Sequence, residues 1–427
     1  MLISKIFILS DCDEVTSSAS KKTYKYTYLS FLLLIGACGQ SQNLQSYIQE
    51  AEANNPNLQA YELRYNIAQE KVNEVNALPN TTLSAGYFVS EPETRTGAQR
   101  ARFSISQMLP WFGTITAREN YASAMAETEF VEIAIAKRKL SLAVAESYYQ
   151  LYAFKAEQDV LLKNIRLLKS YEQLALTSVE VGTASAVDIL RLQIRQNELQ
   201  QQKEILEQEY LAEQAAFNQL LNRKESIAVE VFSELLLPME DLTYSGDSLK
   251  LNPELLKYDR LYASIAQSEL LNQKEGAPDI GFGLDYVPVS ERLDMDPADN
   301  GKDILMPMVS LSIPIFNHRY ASVSKQNELR QQEIEFQKKE RLNTLQTAFA
   351  KAVSQRKQAR IRFETQEKNL DQARDAEEIL TKNYETGTID FNDVLDIQEL
   401  QLKFQTNQIE SVQMYYRQSA IINYLIR

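Results

Sequence analysis

The chain carries one ordered set of landmarks twice, and this duplication limits its fold more than any other feature. An Asn-Pro pair stands at 55–56 and again at 252–253. Each pair can begin a helix, because Asn caps helices and Pro suits the first helical position. The later landmarks are Pro-aromatic segments at 109–113 and 313–317, Gly-Thr turns at 182–183 and 387–388, and Asp-x-Leu segments at 188–190 and 393–395. We therefore expect an internal two-fold repeat.

Alternating apolar and polar residues predict two strand pairs, over about 80–109 and about 278–313. Each strand has roughly the length that crosses a bilayer when tilted. A soluble sheet with one wet face would show the same alternation. The aromatic residues near the strand ends, Trp111, Phe112 and Phe316, favour strands that end at a membrane interface.

Very long helices should follow the strand pairs. Gly and Pro are scarce, at 12 and 11 residues, and neither occurs from 114 to 180. Apolar residues recur there near heptad spacing, and such a stretch spans roughly 100 Å as a helix. A structural coiled coil would explain the helices but not the membrane-type strands before them. Four strands per chain are fewer than the roughly eight of the smallest membrane barrels, so we expect an oligomer.

The N-terminal region reads as a secretory signal. Three lysines precede a short apolar run that ends in Gly36-Ala37-Cys38. The segment resembles a lipobox, in which Cys38 would be acylated and residues 1–37 removed; the alternative is a signal peptide with an incidental cysteine. No later apolar stretch is long enough for a spanning helix, so a membrane span would consist of strands.

Composition excludes several functions. The net charge of −13 argues against nucleic-acid binding. Two cysteines form no metal knuckle, and with one histidine we expect no enzyme, no cofactor and no metal site. Met306 and Met308 could be soft metal ligands, but alternate positions in a strand favour a place in a strand wall. The predicted units are a first repeat at 44–235, a linker at 236–251 and a second repeat at 252–427.

The doubled Asn-Pro start, the QMLPWFG and SIPIFN strand ends and the doubled Gly-Thr turns resemble the TolC family of outer membrane factors. The resemblance implies a mainly α fold with membrane β-hairpins. Three chains would form a twelve-stranded barrel in the cell outer membrane and a twelve-helix coiled-coil tunnel, a periplasmic α-barrel. Partners would be a periplasmic adaptor, an inner-membrane pump and outer-membrane lipid. The lipobox suggests the lipoprotein branch paired with resistance-nodulation-division pumps.

The resemblance also implies a gate near the Gly182 and Gly387 turns, which would form the periplasmic tip. Tyr384 and Asp188 match family positions whose bond between neighbouring helices closes the aperture. Ile389 stands where many members carry Arg, so a second, charge-assisted latch is not expected at that position.

Asp393 and Asp396 match acidic rings at the family's constriction, where a trimer would gather six carboxylates that select cations. The alternative is that these aspartates only charge a helix N-terminus, where acids are favourable. The resemblance thus implies a passive trimeric duct of a tripartite efflux or secretion system. The alternative from another class is a non-channel periplasmic coiled-coil or adaptor protein, although the lipoyl-like domain typical of adaptors is not visible.

Overall fold

The computed structural model describes residues 44–426 except 181, 183–184, 242–245, 296, 387 and 390. The predicted signal segment and Cys38 lie outside the described residues, as does Gly387. The helices are α1 (44–54), α2 (Pro56–Val75), α3 (Thr114–Glu180), α4 (Ala186–Leu220), α5 (Pro253–Glu275), α6 (Arg319–Glu385) and α7 (Phe391–Ile426). The strands are β1 (Thr82–Tyr87), β2 (Glu93–Thr94), β3 (Gly97–Ala98), β4 (Ala101–Leu109), β5 (Asp279–Val287) and β6 (Ile304–Ser312).

The predicted strand pairs and long helices are confirmed. β1, β4, β5 and β6 form one antiparallel sheet in that order, and the small pair β2–β3 lies in the first connecting loop. α3 and α6 are each uninterrupted for 67 residues, because neither contains Gly or Pro. No described helix is both long and apolar enough to cross a membrane.

The sheet carries an apolar face and a more polar one. Leu83, Ile105 and Leu284 stand opposite one another on β1, β4 and β5, and all three are exposed. Gly281, Gly283 and Asp285 point to the other face of β5, because side chains alternate along a strand. Met306 and Met308 pair with Asp285 and Gly283, so both methionines lie on that polar face of the sheet.

The helices continue the strand order. Next to the sheet, the packing order is α2, α3, α5 and α6, which matches β1, β4, β5 and β6. Further away the order is α4, α3, α7 and α6. The chain is therefore one layer of four columns, where a column is a strand with the helices in line with it. Two columns contain a single long helix, and two contain a pair of shorter ones.

The Asn-Pro landmarks join the shorter helices end to end. The Asn55 side chain caps α2 at the backbone N–H of Asn57 (3.0 Å) and donates to the carbonyl oxygen of Leu220, the last residue of α4 (2.9 Å). Asn252 caps α5 at the N–H of Glu254 and donates to the carbonyl oxygen of Leu425, near the end of α7, both at 2.9 Å. Each asparagine thus satisfies groups at two helix ends.

Tyrosine hydroxyls form hydrogen bonds with the extended segment that follows α4, at residues 232–241. Tyr148 and Tyr152 of α3 accept the backbone N–H groups of Phe232 (3.2 Å) and Leu235 (3.3 Å). Further on, Asp241 accepts from Arg360 and from the Tyr415 hydroxyl, both at 2.7 Å. These bonds attach the segment across the layer near mid-length of the long helices.

Candidate functional site

The predicted tip lies where α3 turns into α4 and α6 into α7. Gly182 has a φ of +79°, a conformation that favours glycine, and its N–H donates to the carbonyl oxygen of Val179 (3.0 Å). In the second turn, the Thr388 hydroxyl and N–H donate to the carbonyl oxygen of Asn383, at 2.8 and 3.0 Å. Both long helices thus end on local hydrogen bonds that close a short turn.

Asp188 forms a capping box at the start of α4. Its carboxylate accepts from the backbone N–H of Ser185 (3.3 Å), and the Ser185 hydroxyl accepts from the N–H of Val187 (3.2 Å). Arg191 approaches the other carboxylate oxygen at 3.8 Å. The contacts described for Asp188 within one chain do not include Tyr384. Their bond remains a prediction.

Tyr384 is buried among aromatic rings. It is 7% exposed, and its ring meets that of Phe391 edge-on at 4.8 Å between centroids. Tyr171 of α3 meets Phe391 in the same way at 5.9 Å. Phe391 begins α7, so this cluster brings together α3, α6 and α7 just inside the tip.

Asp393 and Asp396 are both exposed on the first turns of α7. Their surroundings differ. Asp396 lines a groove of about 200 Å³ together with Arg191 and Arg195 of α4, whereas Asp393 does not line it. We call this the tip groove. Arg191 also bonds Asn392 across it, and Arg195 lies 3.6 Å from Glu399.

Each pair of helices that meets at the tip contains a glutamate that accepts hydrogen bonds from two glutamines of the other helix. We call this arrangement a clasp. It was not predicted from the sequence. In the first clasp, Glu172 of α3 accepts from Gln193 (2.8 Å) and Gln196 (2.9 Å) of α4. These two amide donors lower the pKa of Glu172. The second clasp joins α6 and α7 and consists of Glu377, Gln398 and Gln401. The internal repeat could have revealed these residues, since the second clasp lies 205 positions after the first, the same offset as Gly387 from Gly182.

The aromatic residues predicted for a membrane interface lie where the sheet meets the helices. Phe112 and Phe316 are 79% and 95% exposed, and Trp111 packs edge-on against Phe112 at 5.8 Å. Both segments follow strands and precede the long helices, so the exposed rings stand at one end of the sheet. Among the described residues, no group of three His, Cys, Asp or Glu side chains is placed to hold a metal ion.

Comparison with known proteins gives consistent results. Residues 47–223 match the model of a family described as outer membrane efflux protein. The fold is similar to that of CusC, with 15% identity, coverage of 90% of this chain and 92% of that one, and a TM-score of 0.73. It is also similar to VceC of Vibrio cholerae (18%, 90% and 96%, TM-score 0.70) and to the outer membrane channel CmeC of Campylobacter jejuni (14%, 98% and 90%, TM-score 0.73). A search of the curated proteins gives no match.

Proposed function

We propose that this chain is a member of the outer membrane efflux protein family, whose model matches residues 47–223, and that it is the outer-membrane channel of a tripartite efflux system. It acts as a passive duct without catalysis of its own, and energy comes from an inner-membrane pump that it reaches through a periplasmic adaptor. The cargo consists of small molecules or metal cations selected by the pump.

One observation carries this proposal: the four-column layer has two open edges. β1 and β6 are the outer strands of the sheet, so each leaves a row of backbone groups without a partner strand. In a membrane such groups must be paired, and a closed ring of strands pairs them all. Further copies of the chain can supply the missing neighbours, edge to edge. Three copies give twelve strands in a ring, above the roughly eight of the smallest membrane barrels.

The helical edges support the same assembly. α4 and α6 are the outer helices of the layer beyond the Asn-Pro junctions. Both carry large apolar side chains that are at least half exposed. Such exposed apolar surface indicates a protein partner. These residues are Val187, Leu190, Ile194, Ile205 and Leu211 on α4, and Ile361 and Ile379 on α6. In a ring, α4 of one copy packs against α6 of the next.

The proposal is tested by extraction of the mature protein from outer membranes. We expect trimers that persist in detergent and dissociate on heating, and that form pores in planar lipid bilayers. A monomeric soluble product without conductance would overturn the duct and favour a non-channel coiled-coil protein of the cell envelope.

A further inference from the structure

Exposed aromatic rings and cations occur together at one edge of the sheet. β6 ends at Ser312, which pairs with Asp279, the first residue of β5. Phe112 and Phe316 follow β4 and β6 and are 79% and 95% exposed. We call the segments 109–114, 274–279 and 312–319 the strand-end rim. The long helices leave the sheet at this edge, so the proposed channel places the rim at the periplasmic leaflet of the outer membrane.

Lys274 lies against the turn that follows β4. The Thr114 hydroxyl donates to the carbonyl oxygen of Lys274 (3.5 Å), which attaches the end of α5 to the start of α3. Gly113 in this turn has a φ of +82°, and a Cβ at its position would lie 3.7 Å from Nζ of Lys274. Lys274 is exposed, so its ammonium group is open to the surroundings beside this backbone. An exposed cation thus lies next to the segment that carries the exposed ring of Phe112.

The second strand end has the same combination. Phe316 is followed by His318 and Arg319, and all three are exposed. The backbone N–H of Arg319 donates to the side chain of Asn317 (2.9 Å), so Arg319 begins α6 directly after the aromatic segment. A cation gains no stability from the helix dipole at the first residue of a helix. Helix stability therefore does not explain an arginine at this position.

Neither cation has a carboxylate partner within the chain. Other cations near the rim are paired: Arg118 lies 3.2 Å from Glu275, and Lys325 of α6 lies 2.7 Å from Glu328. Within the part of the chain that the structure describes, no ion pair includes Lys274 or Arg319. Both charges are therefore open to an anion from outside the chain.

A phospholipid supplies such an anion at this depth. Aromatic rings lie where acyl chains meet headgroups, and lysine and arginine side chains extend from that level to the phosphate. An anionic headgroup is favoured over a zwitterionic one, since no ammonium of its own compensates the charge of its phosphate. Each basic residue near an anionic lipid surface strengthens the attraction about fivefold, the equivalent of about 1 kcal/mol.

We propose that the strand-end rim binds anionic phospholipid headgroups of the periplasmic leaflet, with Lys274 as the contact beside Phe112 and Arg319 as the contact beside Phe316. This inference rests on the proposed function as an outer-membrane channel. It goes beyond that function, because a ring of strands can close in any lipid, whereas the rim distinguishes between headgroups. The exposed rings favour a lipid over a free phosphate, since a free phosphate would leave them in water.

The fluorescence of Trp111 tests the proposal, because it is the single tryptophan of the chain and packs against Phe112. Bromine atoms on acyl chains quench a tryptophan that they contact. The purified protein is reconstituted in mixtures of phosphatidylcholine and phosphatidylglycerol in which one of the two lipids is brominated. We expect phosphatidylglycerol to bind beside Trp111 about fivefold more tightly than phosphatidylcholine. Lys274→Gln should abolish this preference, and Lys274→Arg should retain it.

Lys382→Gln is the matched control. It removes the same charge from α6 near the tip, roughly 95 Å along the helix from Arg319, and should leave the preference unchanged. A second reporter addresses Arg319, since Phe316→Trp in a Trp111→Phe background moves the fluorophore to the second strand end. In that background, Arg319→Gln should lower the preference for phosphatidylglycerol, whereas Lys382→Gln should not.

Two outcomes would overturn headgroup binding while pores in planar bilayers show that the channel is intact. One is equal affinity of wild-type protein for the two lipids. The other is an equal loss of preference in Lys274→Gln and Lys382→Gln, since net charge rather than the rim would then attract the lipid. Wild-type protein that neither brominated lipid quenches and that forms no pores would overturn the proposed function together with this inference.

Discussion

At the scale of single residues, Glu157 of α3 should make stability depend on pH. Burial raises its pKa to about 7, and the nearby carboxylates Glu410 and Glu209 add to the effect. The folded protein therefore favours the neutral form. Ionisation of Glu157 therefore destabilises the folded protein. This destabilisation is absent well below the ordinary glutamate pKa of 4.5, grows as the pH rises from that value, and reaches its full size above about pH 7.

Glu157→Gln should remove this dependence. We expect the melting temperature of the protein to rise by roughly 1–3 °C at pH 8 and to stay unchanged at pH 4. Differential scanning calorimetry across this pH range measures it. Glu364→Gln, at an exposed position of α6, is the control and should change neither value. A gain for Glu157→Gln that is equal at both pH values would contradict ionisation of a buried carboxyl as the cause.

The acidic residues of the tip should differ in their effect on ion selectivity. Asp396 shares the tip groove with two arginines, whereas Asp393 does not line it. Asp393→Asn should therefore reduce the cation-to-anion permeability ratio about twofold, and Asp396→Asn should reduce it less. Reversal potentials in a salt gradient measure both. The acidic-ring hypothesis fails if neither variant changes the ratio.

Local spacing in the sequence indicates hydrogen bonds between residues close in the chain, but not contacts between distant helices. The capping box was readable, because Ser185 and Asp188 have the required spacing, but Asp188 was assigned to a gate from its family position alone. The hydrogen bond from the Tyr171 hydroxyl to Glu377 could not be predicted, because the two residues are 206 positions apart and the repeat offers no counterpart. The sequence likewise does not predict that Arg191 and Arg195 lie near Asp396, because this depends on α4 and α7 facing each other across the tip groove.

At the scale of elements, the two Asn-Pro junctions should differ in strength. Asn252 is 2% exposed, whereas Asn55 is half-buried, although both cap one helix and bind the end of another. Asn252→Ala loses a cap and leaves the Leu425 carbonyl oxygen without this donor. We expect a loss of about 2–3 kcal/mol in unfolding free energy.

Denaturant unfolding of matched variants measures that loss. Asn55→Ala should cost less, about 1 kcal/mol, because water can replace its bonds. Asn252→Ser keeps a capping oxygen but loses the donor to Leu425, and should fall between wild type and Asn252→Ala. Equal losses at the two junctions would show that burial does not set their strength.

The elements themselves were largely predictable. Proline and glycine mark their ends, and period-two alternation marks the strands, so the two strand pairs and both 67-residue helices agree with expectation. The extended segment after α4 was not foreseen, since it has no period of its own. It follows the tyrosines of α3 and the ion pair of Asp241 with Arg360, and these contacts exist only after the helices have packed.

At the scale of the whole molecule, the open edges of the layer should control assembly. Ile194 on the outer helix α4 is 59% exposed. Ile194→Glu places a charge where the proposed ring brings α6 of the next copy, and burial of an unpaired charge is strongly unfavourable. We expect loss of most trimer in detergent, by size-exclusion chromatography with light scattering, with helix content by circular dichroism unchanged.

Leu400→Glu supplies the control for this experiment. Leu400 is exposed on α7, which is an inner helix of the layer. The same chemical change there should leave the trimer intact. If both variants remain trimeric, the α4 edge is not the contact between copies. The sequence predicted an oligomer from its strand count, but the edges that meet could be identified only from the order of the columns.

The Asn-Pro junctions also have a mechanical consequence. Across the layer, columns with a junction alternate with columns built on one continuous helix, α3 or α6. Bending stiffness between the sheet and the tip is then concentrated in the continuous helices, whereas the jointed columns can pivot at mid-length. A torque applied at the tip would tilt α4 and α7 about their asparagines and reach the strands mainly through α3 and α6. The continuous helices therefore couple the tip to the sheet, whereas the jointed columns can bend at mid-length without moving the strands.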